Sequence, residues 1–86
     1  MTRSKAEAEI YTVFHRFPVN IMYDKIPDFG LFTCKAIFSS WDYAMAALYM
    51  LPAHWTVIRP IEKMGPNSVC VHLALDEYIE GGGLAN

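Results

Sequence analysis

The longest run of helical period lies between Ser39 and Pro52. Trp41, Ala44, Ala47, Leu48 and Leu51 fall at i, i+3, i+6, i+7 and i+10. They form a stripe that can lie on a sheet, with two alanines small enough for close backbone approach. Ser39 and Asp42 have the form of a capping box at the start, and Pro52 stops the helix at the end. The other face carries Tyr43, Met45, Ala46, Tyr49 and Met50, and Asp42 is the one charge in the segment. A helix that is apolar all round is covered on both sides. The second cover is either the chain's own terminal segments, a partner protein or a second copy. Tyr and Met suit a partner, because a ring with a polar tip and a flexible thioether both tolerate partial exposure.

Ahead of this helix, Ala6, Ile10, Val13, Phe14 and Phe17 keep helical spacing behind a second capping-box pattern, Ser4 with Glu7. They predict a helix over residues 5–16, with Glu7, Glu9, Thr12 and Arg16 on its polar side. A strand over Ile10–Phe17 competes with it, since Tyr, Thr, Val and Phe favour strands. Asn20–Asp24 is a short strand, and Ile26–Gly30 has the Pro, Asp and Gly of a reversal. Leu31–Phe38 alternates, with Phe32, Cys34, Ala36 and Phe38 against Leu31, Thr33, Lys35 and Ile37, and Lys35 marks the second set as the more exposed. Trp55–Lys63 is the third strand, which Pro60 confines to a sheet edge or a bulge. Met64–Ser68 is a turn. Val69–Leu75 is the fourth strand, with Val69, Val71, Leu73 and Leu75 facing the core and Cys70, His72 and Ala74 facing away. Asp76–Glu80 adds a helical turn.

The order is helix, strand, strand, helix, strand, strand. That is an α+β single domain over residues 1–80, an antiparallel sheet with its helices packed on one face, followed by a flexible Gly-rich tail at residues 81–86. A composition of 53% hydrophobic and 19% charged residues in 86 supports a folded chain rather than a disordered one.

The formal net charge is −2, distributed as +1 over residues 1–17, zero over 18–63 and −3 over 64–86. With no basic patch to track a phosphate backbone, direct nucleic-acid binding is not expected. The N-terminal residues, with Lys5, Glu7 and Glu9, lack the apolar run of a signal peptide, and no segment reaches the ~18 apolar residues that span a bilayer. The expectation is a cytoplasmic protein without membrane contact. Cys34 and Cys70 then read as buried thiols, a disulfide being possible but not implied.

Convergent chemistry is sparse. Cys70 and His72 stand two apart on one strand face, which reads as a packed thiol beside an imidazole rather than as part of a metal site. No nucleophile elbow, oxyanion loop or phosphate loop accompanies any Cys, His or Ser. The reading is therefore no enzyme, no cofactor and no metal. Arg59, beside Pro60 on an edge, can make bidentate contacts to a partner's carboxylate, or it is an edge charge that discourages aggregation. The partner-binding candidates are Tyr43, Met45, Tyr49, Met50 and Arg59.

The stretch Phe32–Ala47, followed by Pro52-Ala53 and Val57-Ile58-Arg59-Pro60, resembles the small early bacteriophage proteins that inhibit host RNA polymerase. In those, a strand ending in Ser or Thr leads into an acidic, Ala-rich helix, a Pro-Ala turn and a strand with arginine before proline. The resemblance covers about a third of the chain. This chain has one arginine there instead of two, an additional N-terminal helix and a less charged central helix. The resemblance implies a non-enzymatic inhibitor that blocks the polymerase in the host cytoplasm, with Arg59 matching an arginine of the contact strand. Anti-CRISPR proteins, similar in size and acidity, make a Cas effector the alternative target. A self-associating homodimer module is a further alternative.

Overall fold

The structure, a computed structural model, describes residues 1–23 and 31–78. It is a small α+β fold with two helices and a five-stranded antiparallel sheet. The elements are α1 (Arg3–Phe14), β1 (Val19–Tyr23), β2 (Leu31–Phe38), α2 (Trp41–Met50), β3 (Trp55–Val57), β4 (Glu62–Gly65) and β5 (Ser68–Tyr78). The expected reversal at Ile26–Gly30 and the Gly-rich tail lie outside the described residues.

α1 forms in place of the competing strand because Ala6, Ile10 and Phe14, at i, i+4 and i+8, all become fully buried on one helical stripe. Its cap differs from the expectation. The Thr2 hydroxyl accepts the Lys5 amide at 3.2 Å, so the helix starts at Arg3 and Ser4 sits inside the first turn. α2 differs in the same way by one residue. Ser40, not Ser39, caps it, accepting the Tyr43 amide at 3.2 Å, and Asp42 stands in the first turn near the positive end of the helix dipole. The helix stops at Leu51, whose extended backbone (φ −71°, ψ 143°) is what a residue before proline adopts.

In the sheet β2 is flanked by β1 and β5, with Lys35 opposite both Met22 and His72, and Ala36 opposite both Ile21 and Val71. The alternation then fixes two faces. Phe32, Cys34, Ala36 and Phe38 of β2 and Val69, Val71, Leu73 and Leu75 of β5 are buried in one core cluster with Ala6, Ile10 and Phe14 of α1, Ala44 and Ala47 of α2, and Trp55. Phe14 meets Phe38 edge to face with ring centroids 5.1 Å apart, and Phe32 meets Trp55 likewise at 5.9 Å. Thr33, Lys35, Ile37, Cys70, His72 and Ala74 occupy the alternate face.

The segment expected as one strand over 55–63 is two. β3 pairs with the C-terminal half of β5, Val57 opposite Leu73, and β4 with its N-terminal half, Glu62 opposite Cys70. Four residues, 58–61, therefore face only two, Val71 and His72, and the surplus is taken up within 58–61, where Pro60 has no N–H to give to the ladder. Of the helical turn expected at Asp76–Glu80, residues 76–78 are instead the end of β5, and residues 79–80 lie outside the described residues. The Asp76 amide donates to the His54 carbonyl at 2.8 Å and its carboxylate accepts the Thr56 hydroxyl at 2.6 Å. These cross-strand bonds hold the chain extended.

Candidate functional site

The expected site residues separate onto two surfaces. On α2, at about 100° per residue, the buried pair Ala44 and Ala47 defines the centre of the inward stripe, and Tyr49 falls about 170° from it. Tyr49 is accordingly 93% exposed. Met50 at 40% and Tyr43 at 42% lie on the flanks. The Tyr43 ring also rests on Phe17 at 5.6 Å, so residues just after α1 cover one side of it. Met45 packs against the core cluster and is half-buried. Trp41 was expected in the sheet-facing stripe. It is 47% exposed instead, because it stands about 90° from the stripe centre in the helix's first residue. The exposed side of α2 is thus Trp41, Tyr43, Ala46, Tyr49 and Met50, with Asp42 as its charge.

Arg59 is elsewhere. The connection after β3 carries it to a cavity of about 420 Å³, where Met22, Thr33, Cys34, Lys35, Ile58 and His72 are its companions. Strand register explains the grouping. Met22, Lys35 and His72 are successive partners across β1, β2 and β5, and the Ile58 amide donates to the His72 carbonyl at 3.0 Å, so one cross-strand row ends beside Arg59. Lys35 and Arg59 have no ion-pair partner among the described residues. The Thr33 hydroxyl is covered from solvent and has no hydrogen-bond partner among the described residues. Lys35, His72 and Thr33 were not among the expected site residues. Their outward placement was readable from strand alternation, but which of them stand side by side depends on register, which alternation does not specify.

The next row holds Asn20, Ile37, Cys70 and Glu62. The Cys70 sulfur lies 3.5 Å from His72 Nε2. Burial pushes the Cys70 thiol up, with Glu62 adding to the shift and Lys35 opposing it. Such a thiol stays protonated and is a poor nucleophile at neutral pH. Cys34 belongs to the core face and Cys70 to the other, and no disulfide joins them.

A third cluster links α1 to β3. Glu9 Oε1 accepts the Trp55 indole N–H at 2.7 Å and meets His54 Nε2 at the same oxygen. Burial pushes the Glu9 carboxyl up, but the bonds from Trp55 and His54, with the charges of His54 and Lys5, outweigh it and hold the carboxyl below its ordinary value. Among the described residues no three His, Cys, Asp or Glu side chains gather as a metal cluster, and no helix is long and apolar enough to cross a membrane. Comparison with family models, curated proteins and solved structures finds no match to this chain.

Proposed function

We propose that this protein is a non-enzymatic binding module that acts in the host cytoplasm by occupying the surface of a large nucleic-acid enzyme, through the exposed side of α2. The observation that carries this reading is Tyr49, 93% exposed on a helix that also turns Trp41, Tyr43 and Met50 outward. An aromatic ring in water contributes nothing to the fold, whereas its burial against a partner contributes about 1.5–3 kcal/mol, and Tyr and Trp are enriched among the anchors of interfaces. This reading takes both helices as one layer over a single face of the sheet, which leaves the far side of α2 outward. The phage-inhibitor resemblance of Phe32–Ala47 and Val57–Pro60 makes bacterial RNA polymerase the first partner to test, and a Cas effector complex the second.

The test is binding to purified bacterial RNA polymerase together with a transcription assay. The protein should bind and lower transcript yield, and Tyr49→Ala should weaken binding by about tenfold or more while its unfolding free energy in urea stays within about 0.5 kcal/mol of the parent. Tyr43→Ala, which loses the Phe17 contact as well, should lose both affinity and stability. Neither binding nor inhibition with polymerase, in the presence of binding to a Cas effector, would move the proposal to the alternative target. A tight dimer at ~100 μM by light scattering, with neither target bound, would replace it by self-association through α2.

A further inference from the structure

We propose that the cavity beside Arg59 binds a small organic anion, a carboxylate or a phosphate monoester with a short apolar stem. Lys35, Arg59 and His72 are the groups that would receive its charge. Two observations meet here. First, the register places Lys35 directly opposite His72, and the connection at residues 58–61 brings Arg59 to the same cavity, so three nitrogen-bearing residues from β2, β5 and the β3–β4 connection line one space. Second, the acids nearby are otherwise placed. Glu62 stands one row over, opposite Cys70, and Asp76 accepts the Thr56 hydroxyl at 2.6 Å, leaving Lys35 and Arg59 without an ion-pair partner among the described residues.

The shape sets the class of ligand. A volume of about 420 Å³ is in the range of small-molecule pockets. Met22 and Ile58 supply apolar wall on either side of the cations, which favours an organic anion over a bare inorganic one. Arg59 offers the planar fork that matches a carboxylate or phosphate in two parallel bonds, and Lys35 a point charge beside it. This site is independent of docking through α2, since none of its residues belongs to that helix.

The experiment is an amide NMR titration of the full chain with phenyl phosphate, succinate and inorganic phosphate at matched ionic strength, and with a short single-stranded oligonucleotide. The proposal expects saturable shifts at Thr33, Lys35, Arg59 and His72 with phenyl phosphate or succinate, and weaker ones with inorganic phosphate. Which organic anion saturates first tells a phosphate site from a carboxylate site. Lys35→Gln and Arg59→Gln, both of solvent-reaching side chains, should each weaken binding about tenfold, while Tyr49→Ala leaves it unchanged. Shifts that stay linear, that spread over every surface Lys and Arg, that persist in both Gln variants, or that saturate only with the oligonucleotide would each overturn it.

Discussion

Glu9 is the residue whose environment makes the clearest demand on solution behaviour. Its carboxylate holds the Trp55 indole and the His54 imidazole at one oxygen, joining α1 to the start of β3 across 45 residues of chain. A carboxyl held below its ordinary value in the folded state adds stability above its unfolded pKa, and that stability is lost as pH falls through the folded value. The urea midpoint should therefore fall more steeply in the parent than in Glu9→Gln as the pH is lowered from about 4.3, the unperturbed glutamate value. Parallel acid limbs for the two proteins would show that the cluster contributes no pH-dependent stability. Nothing in the spacing of Glu9, His54 and Trp55 announced this contact, because a hydrogen bond between residues 45 and 46 apart leaves no periodic trace. Tyr49 is the opposite case. Its outward direction follows from the 3.6-residue period once Ala44 and Ala47 are taken as inward, and its exposure confirms that geometry.

Among the elements, α2 shows how finely a helix start is set. Two serines precede it, and only Ser40 has its hydroxyl on a helix amide, Tyr43 at 3.2 Å. Ser40→Ala should cost about 1 kcal/mol in urea unfolding, whereas Ser39→Ala should cost a few tenths at most. Equal losses would mean that the two hydroxyls share the cap. The edge of β5 shows a second principle. The single strand expected over 55–63 becomes β3 and β4, with Pro60, which cannot donate to the ladder, in the two-residue surplus between them. Pro60 announced an irregularity on an edge. That the irregularity would carry Arg59 next to Lys35 and His72 depended on how β5 pairs with both β2 and β3.

For the whole molecule, the sheet divides the thiols as it divides everything else. Cys34 is buried on the core face and Cys70 on the other, each nearly inaccessible at 4% and 3%. In the native protein both should resist iodoacetamide at neutral pH, and in rising urea both should become reactive together over the same range as the loss of Trp fluorescence. Labelling of Cys70 well before Cys34 would show that the alternate face opens without global unfolding. The same two-faced arrangement decides what each surface can do. One side of the sheet is closed by a core rich in Phe and Val, and the functional proposals rest on what remains: the outer side of α2 and the cationic cavity beside Arg59.

The sequence alone determined the central helix, the Leu31–Phe38 strand to the residue, and the inward set of β5, because each is written as a local period, 3.6 or 2, that burial of one face then rewards, whereas α1 had a competing strand that only tertiary burial excluded. It also determined that α2 has a second apolar side. Only the tertiary structure decided which serine and which threonine cap the helices, since competing hydroxyls one or two residues apart differ in backbone geometry rather than in type. Only it decided that Met45 packs inward while Trp41 turns outward, and that the five expected partner-binding residues do not share one surface. The Lys35, Arg59 and His72 grouping likewise came from strand register and the surplus at residues 58–61. Both are long-range properties, fixed when residues dozens of positions apart pair, and no local period encodes them.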